Sequence, residues 1–202
     1  MAAPVHDEGF DPLMEFAGGW TTELAERYLP IEGAPAARYE CLGGRLVVSP
    51  VEGAANSWGE LELAAVMRLP ARAAGYVVYN PLNVLFDDRT WIVPDLVVLR
   101  EPAGQVTWVP VERVLMPVDF VSPGSGYRDR CEKPALCAAA RIPYFLRVEI
   151  DGKDVEVELG ELADGEYRVV AHAVSGQEFR TDVPFPMSFD PLELLEPGVA
   201  PR

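Results

Sequence analysis

The 202-residue sequence predicts an α+β chain with a mixed β-sheet flanked by helices and an N-terminal β-hairpin. Three observations carry that expectation. Short apolar runs rich in Val, Leu and Ile recur along the chain, among them "NVLF", "WIVPDLVVL", "RVLMPVDFVSP" and "YFLRVEI", and runs of this length and composition read as strands. One long stretch of helical period, "NSWGELELAAVMRLPARAAGY", stands between the two halves of the strand set. Gly43-Gly44 splits "RYECLGGRLVVSP" into two extended halves, a strong signal for a tight hairpin turn.

The elements follow in order. Residues 1–12 read as a flexible acidic tail, 13–196 as a single domain and 197–202 as a C-terminal tail. "WTTELAERYL" is a short helix that Thr21 or Thr22 can cap. In the long helix, Leu61, Ala65, Met67 and Leu69 are available for a buried face, and Ser57 and Glu60 have capping-box spacing. Pro70 kinks this helix or ends its regular part, and Gly75 stops it. Strands are expected at "YVVYN", "NVLF" and "WIVPDLVVL", then at "RVLMPVDFVSP". "SPGSGYRDR" reads as a loop and "CEKPALCAAA" as a short helix with Pro134 in its first turn. "YFLRVEI", "DVEVEL" and "EYRVVAHAV" close the strand set, with Asp164-Gly165 at a turn, and "FDPLELL" is a final helical turn. The last two strands alternate apolar and charged residues, so one of their faces meets water.

Composition narrows the chemistry. Thirty-two acidic residues against 17 basic ones give a formal net charge of −15, which disfavours broad electrostatic capture of nucleic acid and suits cation binding at clustered carboxylates. Two histidines and three cysteines, without Cys-x-x-Cys or His-x-x-x-His spacing, exclude the usual structural zinc patterns. Serine–histidine chemistry would need His172, in a strand-like stretch, or His6, in the tail. The odd cysteine count points to a reducing compartment. With no apolar run of spanning length and no signal-peptide pattern at the N-terminus, a cytoplasmic location is expected.

The chemical signal lies in two acids on neighbouring apolar strands, Asp95 in "VPDLVVL" and Asp119 in "PVDFVSP". An unpaired charge in a core strand costs several kcal/mol, and two adjacent carboxylates repel unless a cation neutralises them. A strand end open to solvent, a basic partner or a metal lowers that cost. Hard oxygen donors select Mg2+ or Mn2+.

"YECLGGRLVVSP", "VPDLVVL", "VDFVSPGSGYRDRCEKPALCAAARIPYF" and "VPFPMSFDPLELL", in this order, resemble the Uma-type (Uma-two) restriction endonuclease family of the PD-(D/E)xK nuclease superfamily. The resemblance implies a restriction-endonuclease-like fold and a Mg2+- or Mn2+-dependent endonuclease acting on DNA. By position it makes Asp95, Asp119 and Glu40 the metal-binding acids. Lys133, at the start of the helix after Asp119, becomes the lysine that positions water and stabilises the transition state. Asp119 stands where the family usually has glutamate, Asn56 where many relatives have histidine, and Arg141 where glycine is common. Arg128, Arg130, Arg141 and Arg147 concentrate beside this site as candidate phosphate contacts. A nuclease that cuts both strands profits from two copies of its site, so a homodimer is expected.

Structural alternatives stay open for each residue. Asp95 can bond local backbone, Asp119 can pair with an arginine such as Arg130, and Lys133 can pair with Asp129 four residues back. Glu40 can point outward from its hairpin, and Asn56 can be an N-cap. The alternative function is a non-catalytic descendant of the fold that binds metal or another protein.

Overall fold

The computed structural model describes residues 10–122 and 126–198. In chain order it has α1 (Pro12–Glu15), α2 (Thr22–Tyr28), β1 (Ala37–Leu42), β2 (Arg45–Pro50), α3 (Ala54–Ala73), β3 (Val77–Tyr79), β4 (Asn83–Asp87), β5 (Thr90–Ile92), β6 (Leu96–Leu99), β7 (Trp108–Pro110) and β8 (Val114–Val121). A π-helical turn (Arg128–Glu132) runs into α4 (Lys133–Ala139). Strands β9 (Tyr144–Asp151), β10 (Asp154–Ala163), β11 (Glu166–Val174), β12 (Phe179–Thr181) and β13 (Met187–Phe189) follow, and a 3-10 turn (Pro191–Leu194) closes the set. The chain divides into two compact units, Met1–Val51 with Leu85–Ile92 and Glu52–Val84 with Val93–Arg202.

In the first unit the expected helix and hairpin both form. Thr21 is the N-cap of α2, and its hydroxyl accepts from the Leu24 N–H at 3.3 Å. Strands β1 and β2 pair antiparallel from Leu42↔Arg45 outward. Gly43 and Gly44 take φ of 60° and 86° at the turn, a region that costs other residues dearly. A Cβ on Gly44 would also stand 2.6 Å from the Gly18 carbonyl oxygen. The sheet continues from β1 to β5 and β4, and the Trp91 indole donates to the Tyr39 carbonyl at 2.9 Å. Residues 1–9 of the expected tail lie outside the described residues, but Asp11 accepts from the Leu13 N–H and caps α1, with Pro12 buried.

The second unit carries a six-stranded sheet in the order β11-β10-β9-β8-β6-β3. All its neighbours are antiparallel except β8 and β9, which α4 connects as the crossover that parallel strands require. The mixed sheet expected from sequence is therefore present. Pairing sorts its side chains into two faces, because residues directly opposite one another share a side. Val118, Leu146, Leu159 and Ala171 form one row, and Phe120, Val148, Val157 and Ala173 another. All eight belong to the hydrophobic core together with Leu63, Met67 and Ala71 of α3. The opposite face carries a charged row, Asp119, Arg147, Glu158 and His172.

Helix α3 differs from expectation in its orientation. Its buried positions are Asn56, Gly59, Leu63, Met67 and Ala71. Leu61 and Leu69 are 63% and 65% exposed, and Ala65 is exposed too. Leu61 sits two residues from Gly59 and Leu63, about 200° round the helix from either, so a stripe built on 59, 63 and 67 turns it outward. Ser57 and Glu60 form no capping box, since Gly53 is the N-cap without a side-chain bond. Pro70 lies inside the helix, which runs three residues further, to Ala73.

Gly59 sets how closely α3 approaches the sheet. A Cβ there would meet Phe120 Cε1 at 2.8 Å, Ile150 Cδ1 at 3.0 Å and the Leu194 carbonyl oxygen at 3.3 Å. Alanine ordinarily favours a helix interior over glycine by about 1 kcal/mol, but overpacking a filled core costs about 1–3 kcal/mol. Gly59→Ala is therefore expected to destabilise the fold by about 1 kcal/mol net. Urea denaturation checks the sign.

Two other expectations change. "WIVPDLVVL" is two strands, β5 and β6, interrupted at 93–95, because Pro94 cannot donate to a ladder. The stretch "SPGSGYRDR" is helical from Gly126 onward, and 123–125 lie outside the described residues. The strands β12 and β13 were not foreseen; they pair from Phe179↔Phe189 to Thr181↔Met187. Among the described residues no helix is long and apolar enough to cross a membrane.

Candidate active site

Asp95 immediately precedes β6, and Leu96 opposes Val118. The ladder starts there, so Asp95 sits at a bend just outside it. Asp95 is only 4% exposed. Its Oδ2 accepts from the Phe120 N–H at 2.6 Å, a charge-assisted bond that lowers the cost of burying the carboxylate. Pro94 thus ends one ladder, and the neighbouring strand supplies Asp95 with an amide.

Asp95 has two acidic neighbours that sequence reading missed. Carboxylate oxygens of Glu52, Glu60 and Asp95 lie within 4.8 Å of one another. Glu60 is on α3 and Glu52 lies just before it, with Asn56 between them at steps of four residues. Such spacing places side chains on one helix face. The Asn56 amide donates to Glu52 Oε2 at 3.0 Å, so Asn56 braces an acid rather than capping the helix. The recoverable signal was the Glu52-Asn56-Glu60 spacing.

Asp119, Lys133 and Asp129 form a second cluster. Lys133 Nζ lies 3.1 Å from Asp119 Oδ1 and 3.2 Å from Asp129 Oδ1. These residues are only 5%, 1% and 3% exposed, respectively. The pairing with Asp129 is the expected i,i+4 contact, but it is buried rather than solvated. The cation that a buried strand acid demands is therefore, for Asp119, a lysine. Glu40, the remaining candidate, is buried on β1 of the first unit opposite Val47.

The arginines are largely matched by acids. Arg130 donates to Glu149 through Nε at 2.9 Å. Arg147 lies 3.2 Å from Glu149 and 3.1 Å from Glu158. Arg128 Nε stands 4.0 Å from Asp129. Arg141 is exposed at a turn with φ of 60°. His172 is a strand residue, as expected, 2.8 Å from Glu156.

The Arg130 hydrogen bonds hold the Glu149 carboxyl below the usual carboxylate range, against the upward push of partial burial. A carboxylate whose pKa is lowered on folding stabilises the fold above its unfolded pKa, about 4.3 for glutamate. That contribution is lost as pH falls through the lower, folded value. Arg130→Ala should therefore flatten the fall in melting temperature below about pH 4.3, leaving the neutral-pH slope unchanged. Melting curves across that window test this.

The fold has a counterpart among known proteins. A solved structure described as a putative nuclease belonging to DUF820, from Anabaena variabilis ATCC 29413, aligns with a TM-score of 0.60 at 17% identity. The alignment covers 86% of this chain and 96% of that one, and at such identity it speaks for a shared restriction-endonuclease-like fold. No curated protein matches the chain. The family model described as "Uma2: Putative restriction endonuclease" matches residues 25–194, a span that includes α3, both acidic clusters and the crossover. The chain belongs to the Uma2 restriction endonuclease family.

Proposed function

We propose that this protein is a divalent-metal-dependent endonuclease that hydrolyses DNA phosphodiester bonds. The observation that carries the proposal is the gathering of Glu52, Glu60 and Asp95 oxygens within 4.8 Å, in the same unit as the buried Lys133–Asp119 pair. Three carboxylates fit Mg2+ or Mn2+ by donor type. Metal–oxygen bonds near 2.1 Å set neighbouring ligands about 3 Å apart and opposite ones about 4.2 Å apart, so small side-chain movements bring the three oxygens onto one ion. Asp95 is the central ligand in this reading, and Asp119 lies on the strand whose Phe120 amide anchors it. Glu40 is retained as an auxiliary carboxylate on the strength of its position in the family pattern.

A bound divalent ion supplies Lewis acidity toward a phosphoryl oxygen and lowers the pKa of a water. The chain's own residues do the remaining work. Asp119 and Asp129 hold the Lys133 ammonium, and in this reading the lysine would offset the negative charge that accumulates on the phosphorus. The Phe120 amide and Asn56 hold Asp95 and Glu52 in their positions without the metal, which lowers the reorganisation needed on binding.

One observation favours a second reading, a non-catalytic descendant of the fold: Arg130 and Arg147 are engaged by Glu149 and Glu158 in a chain of net charge −15. Supercoiled plasmid incubated with the protein and Mn2+ or Mg2+ separates the two. Metal-dependent nicking that EDTA abolishes is the expected result. Intact plasmid, together with a melting temperature that neither ion raises, overturns the nuclease proposal.

A further inference from the structure

Between α4 and the strands β9, β10 and β11 lies a cavity of about 430 Å³. This is within the range of about 300–1,000 Å³ in which small-ligand sites fall. The fold keeps it open by using small residues where helix and sheet face each other. Ala135 and Ala138 line it from α4, and Gly160 lines it from β10. The β10–β11 register shifts between Leu159 and Gly160. A Cβ on Gly160 would stand 2.8 Å from Tyr167 Cβ, so only glycine lets Tyr167 lie over the strand. Phe145 and Tyr167 form an aromatic wall, with ring centres 5.7 Å apart. The Tyr167 hydroxyl is fixed by donation to the Ile142 carbonyl at 2.8 Å, leaving its ring as an apolar surface.

The polar groups in this cavity select a ligand. Arg147 and Glu158 are cross-strand neighbours and lie 3.1 Å apart. Arg147 is also held by Glu149, as is Arg130. Positive charge shared among this many carboxylates is poorly placed to capture a phosphate. An arginine and a glutamate side by side suit instead a planar ligand that offers acceptors on one edge and adjacent donors on another.

We propose that the cavity formed by α4, Phe145, Tyr167, Arg147 and Glu158 is a guanine-binding subsite. A guanine ring stacks on the aromatic and alanine walls, which bind any base through its π-face. Arginine is the common partner of guanine O6 and N7. The carboxylate of Glu158 accepts from guanine N1–H and the 2-amino group. Adenine and the pyrimidines lack that pair of donors beside a carbonyl. The site does not depend on the nuclease reading, because its ligand is either a free nucleotide or a base in a strand.

The test is calorimetric titration of the full chain in EDTA, so that neither metal binding nor cleavage enters. The probes are guanosine, inosine, adenosine, guanosine 5′-monophosphate and a short single-stranded oligonucleotide with one guanine among thymines. Guanosine is expected to bind at least tenfold tighter than inosine, which lacks the 2-amino group, and than adenosine. Glu158→Gln should remove that preference. Ala135→Trp and, from a neighbouring position, Ala139→Trp should fill the cavity and abolish binding, with circular dichroism confirming that each variant folds. An oligonucleotide at least tenfold tighter than the mononucleotide identifies a strand as the source; the reverse identifies a free nucleotide. No heat with millimolar guanosine, equal affinity for the three nucleosides, or binding that survives in a folded tryptophan variant overturns the proposal.

Discussion

Asp95→Asn is expected to lower metal-dependent cleavage by roughly 10³-fold, equivalent to about 4 kcal/mol of transition-state stabilisation. It should do so without unfolding the protein. Asparagine keeps an oxygen that can accept the Phe120 N–H now bonded to Asp95 Oδ2, so the strand end stays anchored. It removes the negative charge that Glu52 and Glu60 alone cannot replace. Loss of activity should coincide with loss of the rise in melting temperature that Mg2+ or Mn2+ gives the wild type, since ligand stabilisation follows metal concentration over Kd. In EDTA the two proteins should melt within a few degrees of each other. Cleavage that survives in the purified variant would show that another centre does the chemistry.

The second large effect is on stability. Lys133→Met should cost about 3–5 kcal/mol, the usual penalty for removing one partner of a buried ion pair. Methionine fills the volume but leaves Asp119 and Asp129, at 1% and 3% exposure, as buried acids that have lost their shared cation. The cause can be separated from lost packing by combining changes. Adding Asp119→Asn and Asp129→Asn to Lys133→Met removes the stranded charges and should recover at least half the loss. A triple variant no more stable than the single one would mean that the lysine stem, not its charge, supports the fold. Guanidinium denaturation of the three proteins decides between them.

Charge on a core strand is conspicuous, which is why Asp95 and Asp119 could be singled out from their apolar neighbours, and Lys133 followed from the resemblance. Glu52 and Glu60 were harder to read because acids on a helix surface are ordinary. Their significance depends on which helix face meets Asp95, and the large apolar residues Leu61 and Leu69 point to the wrong face. The Gly59 contact with Phe120 and Ile150 turns that face toward the sheet, and nothing in the spacing of large apolar residues announces a glycine as the contact point. Arg130 and Glu149 are 19 residues apart, so their pairing follows from the crossover that brings α4 over β9, not from a local pattern. The β12–β13 pair escaped because Pro184 and Pro186 interrupt the apolar run before Met187.

The π-helical turn ahead of α4 bears on how such lysines are recognised and altered. In it the Lys133 N–H reaches back five residues, to the Arg128 carbonyl, where an ordinary helix reaches back four. A π-turn of this kind amounts to one residue inserted into a helix. Removing Cys131 would relax the turn to α-helical geometry and change the Asp129–Lys133 spacing from four residues to three, two positions that still neighbour each other on a helix but meet from opposite sides. The polar triad is thus specified by a residue count as well as by residue identity. A single-codon deletion of Cys131 would leave every charged side chain in place and still change the direction from which Asp129 meets Lys133.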